Sequence, residues 1–199
     1  MAASMQGHRT RTASIEVTDS LVDAALALLE ESGIASLTVR AVASRAGVAP
    51  MGVYSRFGSK DGLLEALFVH GFTGLETAIE PQPSPSPMNR LRTGCMGYRE
   101  FAINNPQMYH LMFEQMMLLE LSPEAQDAAK RTFTLLIDRV QEAMNSGDLT
   151  AGNSVEVAQQ LWSAMHGAVS LEIAGVHFAQ DRRGNYASMI ESLLVGLGN

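Results

Sequence analysis

Four cations of this chain stand in a stretch that holds no acid. From residue 32 to residue 60, Arg40, Arg45, Arg56 and Lys60 occur without a single Asp or Glu. The chain as a whole has 199 residues, with 14 Lys and Arg against 21 Asp and Glu, a net charge of -7. Residues 1–60 run the other way: Arg9, Arg11 and those four cations outweigh Glu16, Asp19, Asp23, Glu30 and Glu31 by one charge. An acidic protein with one acid-free basic segment suits local contact with phosphates better than a generally sticky surface. The same charges would also serve as the solvated face of a purely structural helix pair.

The segment that carries them, TVRAVASRAGVAPMGVYSRFGSK at 38–60, is punctuated as two short helices across a tight turn. Thr38 is a good N-cap for a helix over 39–46. Gly47 stands where a left-handed residue ends that helix. Pro50 opens a second helix over 50–57, where its missing N–H is no loss. Ser59 caps a third. Two helices joined by a short Gly-containing turn make a helix-turn-helix.

Val39, Val42, Ala43, Ala46, Gly47, Val48, Val53, Tyr54, Phe57, Lys60, Leu63 and Leu64 stand in a fixed frame. In that frame the segment closely resembles the DNA-binding domain of the TetR family of transcriptional regulators. The match begins near Ile15 and spans the first third of the chain. The resemblance implies that helix 50–57 enters the major groove, with Pro50, Met51 and Gly52 nearest the base edges. It implies that Thr38, Tyr54 and Lys60 touch phosphates, with Arg40 and Arg45 as further backbone partners. Two positions depart from the family pattern. Gly52 replaces a common hydroxyl residue, which removes one side-chain contact. Arg56 replaces a common aromatic or His, which adds a phosphate or guanine contact.

The elements that must hold this segment follow from the apolar spacing. Leu21, Ala24, Ala25, Leu28 and Leu29 give a helix over 16–32 one apolar face. This supporting helix is preceded by a flexible arm at 1–14 that holds His8, Arg9 and Arg11. A long helix over 60–80 carries Leu63, Leu64, Leu67 and Phe68, and Gly71 and Gly74 suggest a bend. Residues 81–87 hold four of the seven prolines and read as an extended connection. Helices are expected over 88–105, 106–115, 122–144, 154–178 and 186–197. No alternating strand pattern occurs, so the fold expected is all-α with about nine helices. The boundaries drawn are an arm at 1–14, a DNA-binding domain at 15–60, and a ligand-binding and dimerisation domain at 61–199.

Trp162-Ser163-Ala164-Met165-His166-Gly167 resembles the W-x-x-x-H-G signature of one C-terminal class of the TetR family, the WHG domain. Tyr98, Arg99, Phe101, Ala102, Asn105, Pro106 and Tyr109 resemble the first part of that class. The family resemblance implies a homodimer, usually a repressor, whose C-terminal domain binds a small molecule and changes the spacing of two DNA-reading heads. Helices 154–178 and 186–197 would pair with their symmetry mates. Ligand-lining residues are then expected at Phe101, Met112, Phe113, Met116, Trp162, Met165 and His166. Methionine repacks easily around varied shapes, and His166 lies one turn after Trp162, placed to orient a ligand. Such a stripe also serves as plain core. With no acid pair or Cys/His cluster at hand, the effector expected is apolar, and neither metal nor cofactor is called for.

Other chemistry finds little support. There is no G-x-x-x-x-G-K, G-x-G-x-x-G, H-E-x-x-H or G-x-S-x-G motif, so no catalytic residue is expected. The one cysteine, Cys95, excludes an intrachain disulfide and zinc-finger spacing. The longest charge-free run, 157–171, is shorter than the roughly 20 apolar residues of a membrane span. Residues 1–13 lack the apolar core of a signal peptide. A cytoplasmic protein is the expectation. Two functions compete with an operator-binding regulator: a helical carrier of small molecules or lipids, and an interaction module that binds no operator.

Overall fold

The computed structural model describes residues 3–80, 84, 86–115 and 120–198, with side chains from Glu16 onward and Gln115 excepted. Among these residues there are nine α-helices, one 3₁₀ turn, one π-helical turn and no strand. The helices are α1 (Ala3–Ser32), α2 (Val39–Arg45), α3 (Pro50–Phe57), α4 (Lys60–Ile79), α5 (Pro87–Asn104), α6 (Pro106–His110), α7 (Pro123–Asn145), α8 (Ser154–Ile173) and α9 (Arg182–Gly196). The all-α expectation is met. The chain forms two compact units: residues 1–71 with 107–125, and residues 72–106 with 126–199. The division falls inside α4 and sets α6 apart from α5, whereas the sequence suggested a boundary at 60.

In the first unit α1, α2 and α3 pack on one another. Leu21, Ala25 and Leu29 of α1 are buried with Leu37, Val42, Val53, Leu63 and Leu67. These are the i, i+4, i+8 positions of α1, the turn residue before α2 and the inward positions of α2, α3 and the start of α4, so apolar burial fixes the angle at which α3 is held. α6 continues into a π-helical turn, Leu111–Gln115. Met108, Tyr109, Leu111 and Met112 are buried, and the sulfurs of Met108 and Met112 crowd Gly71. Gly71, suggested as a bend, therefore has a packing reason: a Cβ there would meet both sulfurs at 2.7 Å.

In the second unit α5, α8 and α9 pack on one another. Leu91, Cys95, Tyr98 and Ala102 of α5 are buried, as are Leu161, Met165 and Val169 of α8 and Tyr186, Ile190 and Leu194 of α9. A bidentate ion pair joins α5 to α8: Arg99 Nε and Nη2 donate to Glu172 at 2.9 and 2.6 Å. Both side chains are close to nine-tenths buried. Tyr186 donates its hydroxyl to the Cys95 carbonyl at 2.9 Å, tying α9 to α5.

Several boundaries differ from the sequence reading. The α1 backbone is helical from Ala3, not Glu16, so Glu16, Asp19 and Asp23 lie mid-helix. α8 is capped by Asn153, whose side chain accepts from Val155 and Glu156. It ends at Ile173 rather than Phe178, because Gly175 adopts φ 70. α9 starts at Arg182, four residues early, because the Asp181 side chain accepts from the Gly184 N–H and turns the expected loop into a capped first turn. Most of the proline-rich connection lies outside the described residues.

Candidate nucleic-acid interface and effector site

Thr38 is extended, with φ -108 and ψ 147, and its Oγ1 accepts from the Ala41 N–H at 3.1 Å. That bond leaves the hydroxyl hydrogen available to a phosphate. α2 stops at Ala46, and Gly47, at φ 70, reverses the chain. Val48 then donates back to the Ala43 carbonyl at 3.0 Å. Pro50 takes the first turn of α3. Val53, fully buried, is the bolt that holds α3 to α1 and α2.

With Val53 turned inward, the opposite face of α3 must look outward. Met51 is 71% exposed and Tyr54 49% exposed. Pro50, Ser55 and Arg56 are exposed as well, and Gly52 is half-buried. Ser55 was not among the expected residues. It stands four residues after Met51 on the same face, and that i, i+4 relation was the available signal. Its hydroxyl donates to the Gly52 carbonyl at 3.0 Å and accepts from Arg56 Nη1 at 3.2 Å.

Arg40, Arg56 and Lys60 are exposed and form no ion pair among the described residues. Lys60 begins α4, whose Ser59 cap accepts from the Gly62 N–H at 3.0 Å. Arg45 differs. Its Nη1 and Nη2 each donate to Glu31 at 2.6 Å, a fork closed across 14 residues. The hydrogen bonds from Arg45 hold the Glu31 carboxyl below its usual range, and Glu31 raises Arg45 in turn. The last acid before the acid-free segment thus ties down one of its four cations.

The expected effector residues are distributed over both units. In the second unit, Tyr98 OH and His166 Nδ1 lie 3.1 Å apart. The His166 ring lies 5.7 Å from that of Trp162, and Phe133 of α7 meets Trp162 edge-on at 5.8 Å. Phe133 was missed, since it stands 29 residues before Trp162 in the sequence and only the fold brings the two rings together. Met165 is buried, and Phe101 packs against Gly74. Met112 and Phe113 fall in the first unit, where Met112 crowds Gly71 and Phe113 lies 4.7 Å from Tyr109. Met116 lies outside the described residues. A groove of about 690 Å³ in the second unit is lined by Thr77, Met96, Gly97, Arg183, Ile190 and Glu191 among others, and by none of the expected seven.

Two family models match the chain. One, described as bacterial regulatory proteins of the tetR family, covers residues 21–67. The other, described as a tetracyclin repressor-like C-terminal domain, covers residues 91–194, more than half of the chain, and includes the W-x-x-x-H-G residues. The chain belongs to the TetR family. An uncharacterized HTH-type transcriptional regulator of Mycobacterium tuberculosis is 26% identical over 180 residues, 90% of this chain and 80% of its own. The HTH-type transcriptional regulator BetI of Burkholderia thailandensis is 39% identical over 75 residues, 36% of this chain and 38% of its own. The fold is also that of a Rhodococcus sp. RHA1 protein of unknown function, with TM-score 0.83 and 22% identity over 92% of this chain and 96% of that one. It is shared by the TetR family regulator PfmR of Thermus thermophilus, with TM-score 0.66 and 19% identity over 90% and 99%.

As a TetR-family transcriptional regulator the chain binds DNA and is not an enzyme. Among the described residues no helix is long and apolar enough to cross a membrane, and no group of His, Cys, Asp and Glu could hold a metal ion.

Proposed function

We propose that this TetR-family regulator is a dimeric repressor that reads a pseudo-palindromic operator through α3 and is released by an apolar small molecule. The outward face of α3 carries the reading. Met51 and Tyr54 are large, exposed and unpartnered by the core, on a helix held by its opposite side. Pro50, Met51 and Gly52 then face base edges, and Thr38, Arg40, Tyr54 and Lys60 face phosphates. Arg56 adds a phosphate or guanine contact. Arg45 joins the phosphate set when it leaves Glu31.

The dimer is supported by apolar surface on and beside α8 and α9. Leu171 is 54% exposed, Val176 57%, Phe178 99% and Val195 75%. Ala164, Gly167 and Ala168 leave room for a close helix approach. A second copy related by two-fold symmetry would cover this surface and set two α3 helices about 34–36 Å apart, one turn of B-DNA. The effector site is centred on Trp162, Phe133 and the Tyr98–His166 pair: aromatic walls with one polar couple suit an apolar molecule bearing a single hydrogen-bonding group. Phe101 and Met165, also of the second unit, extend it.

The test begins with operator affinity against salt. A dimer making roughly 6–10 phosphate contacts loses on the order of 10³–10⁵ in affinity between about 50 and 200 mM salt. The double variant Lys60→Ala, Tyr54→Phe should bind more weakly with a shallower salt slope. Unchanged affinity and slope would remove this placement of α3 and α4. A stable monomer in sedimentation at micromolar concentration would remove the dimer. For the effector, Trp162→Phe should keep operator binding and lose release by the small molecule.

A further inference from the structure

We infer that Met51 reads a thymine by its C5-methyl group, so that each half-site contains a T·A pair chosen by an apolar contact rather than by a hydrogen bond. The inference rests on the placement of α3 in the major groove.

The readout chemistry available on α3 is short. Its sequence is PMGVYSRF. Adenine is read in the major groove by Asn or Gln, and cytosine by Glu or Asp, and α3 holds none of these. Ser55, the one aliphatic hydroxyl, already donates to the Gly52 carbonyl and accepts from Arg56. Arg56 suits guanine or phosphate. For the first turn, which enters a groove deepest in a helix-turn-helix, this leaves Pro50, Met51 and Gly52. None of their side chains has a strong donor or acceptor. The only base feature in the major groove that an apolar side chain can recognise is the thymine methyl.

Single exposed apolar residues are common on protein surfaces, so exposure alone decides nothing. Position does. Met51 lies opposite the buried Val53 and in line with Ser55, at the middle of the outward face. Gly52 supports the same reading. A Cβ there would meet only the Val48 side chain, at the ordinary distance of 3.4 Å, so the interior has room for a methyl. Packing therefore does not require glycine there, and a bare backbone beside Met51 leaves its side chain uncrowded. An unbranched, polarisable thioether can settle over a methyl group in that space.

The experiment starts from duplexes selected in vitro by the full chain from a random library. Each thymine of the selected site is then replaced by deoxyuridine, which removes only the C5-methyl, and affinity is measured by fluorescence anisotropy. At one position per half-site, wild type should lose about four-fold, and about sixteen-fold when both half-sites are changed, the transfer value of one buried methyl-sized group. Met51→Ala should bind the thymine and deoxyuridine duplexes alike. Met51 is 71% exposed, so the substitution leaves the core untouched. If no thymine methyl matters to wild type, or Met51→Ala keeps the same discrimination, the inference is overturned. Arg56→Ala separates that failure from a deeper one. A changed base preference in Arg56→Ala with no methyl effect leaves α3 as the reader and removes only the role of Met51. Base preferences and salt slopes unaltered in both variants would remove α3 from the groove altogether, and the inference with it.

Discussion

In the second unit Arg99 is forked onto Glu172 and the more exposed Arg92 onto Glu191, and in the first unit Arg45 is forked onto Glu31. The buried fork and the exposed Arg45 fork do opposite things. In the second unit Arg99 and Glu172 are 9% and 10% exposed, and the Arg99 guanidinium also lies 5.9 Å from the centre of the Tyr186 ring. In the first unit Arg45 and Glu31 are 38% and 56% exposed. A buried pair adds little compared with well-packed apolar residues, but losing one partner strands a charge in a low dielectric. An exposed pair is screened by water and can be exchanged at little cost for another anion. The first kind fixes α5 on α8. The second holds a cation on α2, the helix that packs on α3, and if α3 reads DNA as proposed, phosphate can compete for it there.

Removing one partner of the buried fork gives the largest effect expected. Glu172→Ala should lower unfolding stability by about 3–5 kcal/mol, read from urea denaturation. The double variant Arg99→Met, Glu172→Leu should recover most of that loss. Equal destabilisation of single and double variants would show that packing, not the stranded charge, dominates. Burial acts on Cys95 in the same unit: it pushes the thiol from 9.0 up to about 12. The folded state therefore holds a proton that the unfolded state releases. Its contribution to stability is complete below pH 9 and is lost as pH rises towards 12. At neutral pH, alkylation of Cys95 should proceed only as fast as the protein opens.

A smaller effect belongs to the turn of the DNA-binding head. Gly47 has φ 70, and a Cβ there would meet nothing within 4 Å. Gly47→Ala should destabilise by about 1–2 kcal/mol, the backbone penalty of a left-handed L-residue without any clash. Gly62→Ala is the contrast: its Cβ would overlap the Phe57 carbonyl oxygen. It should weaken operator binding more than Gly47→Ala does, because relief requires the end of α3 to move away from α4.

These two kinds of position also explain what could be read in the sequence. The bounds of α3, Pro50–Phe57, were legible to the residue, because Thr38, Gly47 and Pro50 set caps, turn and start over a dozen residues. The exposed face of α3 followed once Val53 was known to be buried. Legibility failed where partners are distant or compete closely. Tyr98 and His166 are 68 residues apart, and neither type nor spacing announces that they meet. Arg45 looked like a free cation because Glu31 sits one residue beyond the acid-free segment. Asn153 and Ser154 are both good caps, and only geometry shows which side chain reaches the first N–H groups. The π-helical turn at Leu111–Gln115 leaves no mark in the apolar spacing, since Leu111, Met112 and Phe113 are three apolar residues in a row and fit either winding.

The exposed fork supplies the smallest effect and the finest test of the comparison. Glu31→Gln keeps the length of the side chain and removes the charge that holds Arg45. If Arg45 is parked beside the DNA-facing surface, the variant should bind operator about two- to five-fold more tightly at low salt, with a steeper salt slope, as each added phosphate contact raises the slope by about one. Arg45→Ala should do the reverse. The same competition has a pH signature. Arg45 holds the Glu31 carboxyl below its ordinary value of 4.5, so the fork is intact above that pH and opens as pH falls through the lowered value. Wild-type protein should therefore show no change in this contact between pH 6 and 8, and tightening confined to Glu31→Gln in that range isolates the fork from other titrations. Identical salt slopes for wild type, Glu31→Gln and Arg45→Ala would mean that Arg45 never meets a phosphate. The fork would then be a surface tie between α1 and α2, and both units would use arginine for the same purpose.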